Sequence, residues 1–305
     1  MPAAPFSWIQ PHPHGIHVVP ADAWVDPSRP VDLALVTHGH ADHARGGHGT
    51  TYATPETLTI MELRYRTGAE DDAGEIPHRA EPVRYGETVR LKGGVDVTYI
   101  PAGHVLGSAQ ILLEHAGERI VVTGDYKRRP DPTCPPFEVT PCDIFITEAT
   151  FGLPVFRHPP TEHEIDRLMR SVADNPDRTH CIGAYSLGKA QRVIKHLRLA
   201  GHDRPIYIHG SLEKLCEVYE AAGVTLGELR PATLEDRSKA AREAFRGEIV
   251  IAPPGAFEGK WAQRFPDPVI GFASGWMSVK QRAKQRGVEL PLVISDHADW
   301  DELTD

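Results

Sequence analysis

Val36-Thr37-His38-Gly39-His40-Ala41-Asp42-His43-Ala44-Arg45-Gly46-Gly47-His48 closes an apolar run that begins at Val31. Residues 38–43 read H-x-H-x-D-H, three imidazoles and a carboxylate within six positions. Neutral imidazole is the commonest protein ligand for zinc-like ions, a carboxylate adds charge, and catalytic sites of this kind keep a position open for water. Alternation puts His38 and His40 on one side of the chain, where they suit one ion. Asp42 and His43, turned the other way as the chain leaves the strand, suit a second. The competing explanation is a polar loop with chance histidines, and the density of ligand types in so short a stretch weighs against it.

Working outward, Gly15 to Val36 alternates short apolar runs with breakers such as Asp26-Pro27, which predicts strands joined by tight turns, with Leu33 and Leu35 leading into His38. Asp42 to Gly47 is expected to begin a helix, and Pro55 to Arg66 has helically spaced apolar residues. Residues 67–82 are polar and acidic and read as an exposed loop. Val95, Val97 and Tyr99 alternate with Asp96 and Thr98 in a half-buried strand that delivers Gly103-His104. Ala109 to Glu114 and Glu118 to Thr123 flank Gly117 as a hairpin whose second arm delivers Gly124-Asp125. Asp143 to Thr147 is a further strand, delivering Glu148. A sheet that stops these strands at one rim gathers all the named groups into one cleft.

After Phe156 the pattern becomes β/α alternation. Thr161 to Ala173 is helical, with Thr161 as N-cap and Glu164 completing a capping box. Cys181 to Tyr185 is a strand, and Ser186-Leu187-Gly188-Lys189 opens a helix running to Leu199. Ile206 to Ile208, Ile249 to Ala252 and Val269 to Ala273 are strands, and Leu212 to Ala222 and Arg237 to Phe245 are helices. The alternation predicts a small parallel-sheet module. Leu292 to Ile294 then delivers Ser295-Asp296-His297-Ala298-Asp299.

At 305 residues and 40% hydrophobic content the chain can bury real cores. Its 27 Gly and 27 Pro, scattered without a period, favour many short elements joined by turns. The 4 cysteines have neither C-x-x-C spacing nor a dense framework, which fits a reducing cytoplasm and excludes a zinc ribbon or disulfide scaffold. No signal sequence or membrane-spanning run is visible, so a membrane protein is not expected. A net charge of −9 argues against a wholly basic nucleic-acid coat, though not against a nuclease whose metal ions and local basic groups receive phosphates. Of the 17 histidines, His12, His14, His78, His115, His158, His163, His196 and His202 lie in stretches without other ligand types and read as surface or loop residues.

H-x-H-x-D-H at 38–43, Gly103-His104 and Gly124-Asp125 together resemble the metallo-β-lactamase fold. Glu148 in Thr-Glu-Ala-Thr-Phe-Gly, Ser-Leu-Gly-Lys-Ala-Gln at 186–191 and His297 in Ser-Asp-His-Ala-Asp narrow the resemblance to the β-CASP nucleases, and most closely to the bacterial DNA-ligase-associated exonucleases. The resemblance implies an α/β fold: an αββα sandwich of residues 1–157 and 290–305, with residues 158–289 inserted as a β-CASP α/β cap domain. It implies two divalent ions, Zn2+ first and Mn2+ as the alternative. His38, His40 and His104 hold one ion, Asp42 and His43 the other, Asp125 bridges them, and Glu148 orients a ligand or water. It also implies a phosphodiesterase that attacks in line through a two-metal-activated hydroxide, with Asp42 aiming the nucleophile and His297 protonating the leaving oxygen. Related nucleases carry one more histidine beyond this motif, whereas Trp300 to Leu303 reads as a helix cut short. The expectation is therefore a C-terminally truncated domain with a weakened second ion site.

For substrate phosphate, Ser186 and Lys189 at a helix start are the first candidates, with an ordinary helix start as the alternative. Lys127, Arg128 and Arg129 follow the bridging Asp125 and can touch a strand backbone. Lys280, Arg282, Lys284 and Arg286 read better as a solvated face, and Trp276 better as core than as a base-stacking platform. The leading expectation is a DNA exonuclease of DNA repair in the cytoplasm, associated through its family with a DNA ligase and helicase. The alternatives are an RNase J-like ribonuclease, a small thioester or lactone hydrolase, and an inactive scaffold.

Overall fold

The alternation before the histidine motif resolves into β1 (Ile9–His12), β2 (Gly15–Val18), β3 (Ala23–Val25) and β4 (Leu33–Leu35), followed by β5 (Thr50–Ala53), α1 (Pro55–Thr67) and β6 (Arg79–Pro82). The computed structural model describes residues 8–67, 79–233, 239–285 and 287–305. The six strands form one sheet in sequence order, antiparallel from β1 to β3 and parallel from β3 to β6. A second sheet contains β7 (Thr88–Arg90), β8 (Asp96–Pro101), β9 (Ala109–His115), β10 (Glu118–Val122) and β11 (Ile144–Ile146), in the order β11-β10-β9-β8-β7. The two sheets belong to one of two units, Met1–Thr150.

Period-two alternation builds the core of this unit. Val25 and Leu35 from the first sheet meet Val97, Tyr99, Ile111, Leu113 and Ile120 from the second, all buried. Each such aliphatic side chain contributes about 1.5–3 kcal/mol on burial. The intervening residues Ala34, Val36 and Ala53 face outward and are covered by Leu58, Met61 and Tyr65 of α1, giving an α/β sandwich. Among the described residues of this unit α1 is the one α-helix. The β9–β10 turn places Ala116 (φ 52) and Gly117 (φ 85) in the left-handed region, the geometry of a two-residue type I′ hairpin.

Strand directions then decide where the ligands go. β8 and β10 are both antiparallel to β9, so they run the same way, and β11 is parallel to β10. The chain beyond each of these three strands therefore leaves at one rim, carrying His104, Asp125 and Glu148. In the first sheet β3 and β4 are likewise parallel, so Asp26 and His38 leave together.

The second unit, Phe151–Asp305, contains α2 (Thr161–Asp174), β12 (His180–Gly183), α3 (Lys189–Leu199), β13 (Ile206–Ile208), α4 (Gly210–Ala221), β14 (Leu229–Pro231), α5 (Lys239–Glu243), β15 (Ile249–Ala252), α6 (Pro254–Phe257), β16 (Val269–Ala273), α7 (Lys280–Gln285), β17 (Leu290–Leu292) and α8 (Trp300–Thr304). Its sheet is parallel throughout, in the order β14-β13-β15-β12-β16-β17. Strands covered on both faces read as continuous apolar runs, and all four residues of β15 are buried. Leu290–Leu292, expected within the returning part of the first domain, pairs in register with Gly271–Ala273 of this sheet.

Several local expectations are corrected. Residues 42–47 form no helix: His43 and Ala44 N–H both bond to His40 O in a single turn, which Gly46 and Gly47 (φ 81) then end. Residues 79–82, expected as loop, form the polar edge strand β6, where charge and proline are tolerated; residues 68–78 lie outside the described residues. The N-cap of α2 is Pro160 rather than Thr161, and no side chain caps it. Glu164 is instead buried, where its carboxylate accepts the Val293 N–H at 2.8 Å and pairs with Arg167. His158, His196 and His202, read as surface or loop groups, are all buried. An imidazole carries enough apolar ring to pack: His158 meets the Phe151 ring edge to face at 4.6 Å. His78, and residues 237 and 238 at the start of the expected 237–245 helix, lie outside the described residues.

Candidate metal centre

His38 and His104 are fully buried at the rim of the sandwich, and their Nε2 atoms lie 3.1 and 3.0 Å from His40 Nδ1. With Asp125, these residues offer one ligand atom each within 4.8 Å of one another. Imidazole nitrogens at such spacing, with a carboxylate beside them, form a donor set compatible with a cation among them. Tetrahedral ligands at a zinc-like bond length sit roughly 3.3 Å apart, so the donor set fits a divalent ion. Asp125 Oδ2 lies 3.5 Å from His38 Nε2 and 3.5 Å from His43 Nε2, so one carboxylate oxygen faces both groups of ligands. Asp42 Oδ2 is 3.8 Å from His43 Nε2 on a largely exposed side chain.

Behind these side chains stands Asp26, in the sequence a strand breaker beside Pro27. Its Oδ1 accepts the Thr37 N–H at 2.8 Å, and its Oδ2 accepts the Thr37 hydroxyl at 2.6 Å and His43 Nδ1–H at 2.7 Å. The Thr37 hydroxyl proton is thus committed to Asp26, and its oxygen accepts from His38 Nδ1, 3.0 Å away. Both rings are held in the tautomer that turns Nε2 toward Asp125, the carboxylate–histidine arrangement of metal sites. Burial disfavours charge on His43, but the Asp26 carboxylate bonded to it, with Asp125 and Asp42 nearby, raises it to about 9. The surrounding acids call for positive charge, and a divalent cation can supply it in place of the proton.

Two glycines admit the ligand loops. Gly124 (φ +56) precedes Asp125, and a Cβ there would lie 2.6 Å from Thr37 Oγ1. Gly103 (φ +73) precedes His104, and a Cβ there would lie 2.2 Å from the Lys127 carbonyl oxygen. Glu148 Oε1 accepts the Tyr126 N–H at 2.9 Å, pinning the chain next to Asp125, and Oε2 accepts the Thr150 N–H at 3.3 Å. A cavity of about 260 Å³ opens here, lined by Asp26, Asp42, His43, Asp125 and Glu148 among others. His48 is a packed residue whose Nδ1 accepts the Val31 N–H at 3.3 Å.

The remaining candidates divide by surroundings. Lys127 is buried, while Arg128 and Arg129 are half-buried. In the second unit Lys189 is only 4% exposed, its ammonium 2.8 Å from Asp296 Oδ1. Ser186 is half-buried; its carbonyl accepts the Gln191 amide, and Gly188 is the N-cap of α3. His297 N–H donates to Ser295 Oγ at 3.1 Å, and its ring lies 6.1 Å from that of Phe151. Trp276 packs on Phe151 and Phe156 at 5.0 and 5.1 Å, as a core residue does. Lys280 and Lys284 are exposed on α7, while Arg286 lies outside the described residues.

An α/β sandwich whose strand ends bring three histidines and an aspartate to one rim defines a class of metal-binding fold, and residues 11–183 match the Metallo-beta-lactamase superfamily. The chain belongs to that superfamily. It is 30% identical over 302 residues to a probable DNA ligase of Opitutus terrae, across 97% of this chain and 27% of that protein. It is 32% identical to cleavage and polyadenylation specificity factor subunit 3 of Dictyostelium discoideum, across 61% of this chain and 28% of that one. It is also 28% identical to an RNase J-like protein of Methanocaldococcus jannaschii, across 62% and 50%. The chain thus spans between about a quarter and a half of the length of these relatives. The resemblance to the β-CASP nucleases holds. A crystal structure of a protein of unknown function from Enterococcus faecalis V583 shares the fold, with a TM-score of 0.57 at 12% identity over 92% of this chain and 72% of that one. No helix among the described residues is long and apolar enough to cross a membrane.

Proposed function

We propose that the chain is a metal-dependent phosphodiesterase that degrades DNA from its ends in DNA repair. The observation that carries this reading is the placement of Asp125 Oδ2, equidistant at 3.5 Å from the Nε2 atoms of His38 and His43. His38, His40 and His104 would hold one ion and Asp42 and His43 a second, with the Asp125 carboxylate facing both sets. Divalent ions there, zinc or manganese, would supply the Lewis acidity that makes water acidic at neutral pH and neutralises phosphate oxygens. The chain's own part is to hold and aim. Asp26 and Thr37 fix the imidazole tautomers, Glu148 fixes the backbone beside Asp125, and the exposed Asp42 carboxylate accepts a hydrogen bond from the attacking water. His297 is proposed as the proton donor to the leaving oxygen on the strength of its motif.

DNA is preferred over RNA because the match to the probable DNA ligase extends over 97% of this chain, against 61–75% for relatives whose names concern RNA cleavage or processing. The matched segment is part of a protein named as a ligase, which supports a functional association with DNA ligation, and with a helicase by family resemblance. The division into residues 1–157 with 290–305 and an inserted 158–289, and a cytoplasmic setting, belong to the same proposal. End-labelled DNA and RNA, incubated with the protein after metal stripping and add-back, test it. The expected result is metal-dependent release of nucleotides from DNA ends, reduced on the order of a thousandfold in Asp125→Ala and His40→Ala. Degradation of RNA with every DNA end left intact moves the assignment to an RNase J-like ribonuclease.

A further inference from the structure

Helix α1 supplies no ligand to the metal centre, yets its two ends are bonded to both loops that do. At its N-terminal end the buried Thr54 and Thr57 hydroxyls both donate to the carbonyl oxygen of Gly107, at 2.6 and 2.9 Å. Gly107 (φ +80) lies so close that a Cβ would sit 2.7 Å from Thr57 N. It belongs to the turn that presents His104, where the His104 N–H donates to Ser108 Oγ at 3.1 Å. Towards the C-terminal end, the Arg64 guanidinium donates to the carbonyl of Gly39, between His38 and His40, and the Tyr65 hydroxyl donates to the carbonyl of Ala44, next to His43. Burial raises the Tyr65 phenol above its usual value and keeps it a neutral donor.

Thr57, Met61, Arg64 and Tyr65 stand at i, i+4, i+7 and i+8, one stripe of the helix. The middle of the stripe is apolar, with Met61 buried on Ala34, Val36 and Ala53 of the first sheet. Both ends are polar and reach backbone carbonyls. Seven residues of helix separate Thr57 from Arg64, a rigid span of roughly 10 Å. His104 comes from the second sheet and His38, His40 and His43 from the first; the two loops meet directly at one point, where the Ala109 N–H donates to the Thr37 carbonyl at 2.8 Å, and their spacing beyond that point is set by what else holds each of them. One helix fixes both.

We infer that α1 is a strut that sets the separation of the two ligand loops, and that Thr57, Arg64 and Tyr65 are positioning residues for the metal centre. The inference rests on the reading of that centre as a metal site, and it is tested on metal affinity without any nucleic acid, so its failure is distinct from failure of the nuclease assignment. Thr57→Val and Tyr65→Phe each remove one hydroxyl and keep the packing volume. Zinc affinity is measured by chelator competition, with the melting temperature of the metal-stripped protein as the control for fold. Each variant is expected to bind zinc about tenfold or more weakly, in the range seen when groups supporting metal ligands are removed. Thr57→Ser, which keeps the hydroxyl, is expected to bind as the wild type does and remains informative if the valine variant folds poorly. With Thr54→Val added to Thr57→Val, and Arg64→Met added to Tyr65→Phe, each end is released outright; because releasing either end of a strut frees the same distance, the double variant that combines both ends loses little more than the weaker single-end one. Wild-type affinity in both single variants, or losses that multiply in the double variant, overturns the inference.

Discussion

Two loops in this chain place a histidine beside an aspartate, and they are held in opposite ways. In the first unit, His40-Ala41-Asp42-His43 is tied down through its backbone carbonyls and through Asp26, which sits behind His43 at 2.7 Å. In the second, the charges of Ser295-Asp296-His297-Ala298-Asp299 are taken up by its own supports. Asp296 pairs with buried Lys189 at 2.8 Å, and fully buried Arg192 donates to the Ser295 carbonyl at 2.7 Å. Asp299 caps α8 through Glu302 N–H and accepts the His158 N–H at 2.8 Å. The first loop's ionisable groups gather around a candidate cation site, whereas Asp296 and Asp299 of the second are engaged by Lys189, by the start of α8 and by the His158 backbone.

The comparison breaks first, and most heavily, at Lys189. Lys189→Met removes the ammonium that faces the buried Asp296 carboxylate and is expected to cost about 3–5 kcal/mol in urea unfolding. Replacing both residues by apolar ones of similar volume recovers most of that loss. A cost under about 1 kcal/mol for the single change would show that the loop does not depend on charge.

A smaller effect is expected at the first loop, and on affinity rather than on folding. Asp26→Asn keeps the shape but removes the charge and one of the acceptor sites that fix Thr37 and His43. Zinc affinity should fall about 10–100-fold by chelator competition. Unchanged affinity would deny Asp26 its part in fixing the ring tautomers.

The smallest effect concerns an exposed ion pair of the second unit, the solvated counterpart of Lys189–Asp296. Arg178 bonds both oxygens of Glu289, at 2.6 and 2.9 Å, and this hydrogen-bonded guanidinium holds the Glu289 carboxyl below its usual range. The depressed carboxyl contributes stability that is present above its unfolded value of about 4.3 and is lost as pH falls through the lower folded value. Solvent screens the pair, so Glu289→Gln should cost about 0.5 kcal/mol at neutral pH, with the difference vanishing in acid. A cost comparable to that of Lys189→Met would erase the distinction between buried and exposed pairs.

Much of the rim was legible in sequence because strands announce themselves by alternation and the ligands follow directly after them. Val97 and Tyr99 lead to His104, and Ile120 and Val122 to Asp125, and the structure brings those two ligands together with His38 and His40. Asp26 was not legible. It stands eleven residues before Thr37, between a three-residue strand and a proline, and its left-handed backbone (φ 46) and three accepted hydrogen bonds exist only once the sheet has formed. The polar stripe of α1 was hidden for a similar reason, since nothing in the sequence points Thr57, Arg64 and Tyr65 to their carbonyl partners in the two loops. Lys189 looked like a free ammonium at a helix start, and only tertiary packing shows it paired with a residue more than a hundred positions away.

The Ala116–Gly117 turn has a practical use. It is exposed, nothing lies within 4 Å of where a Gly117 Cβ would stand, and it joins the ends of β9 and β10 opposite to those that carry the chain toward Asp125. About 17 Å of strand separates the tip from the far end of β10. A short epitope or a fluorophore inserted between these two residues gives a handle for tethering and imaging that leaves the metal centre untouched.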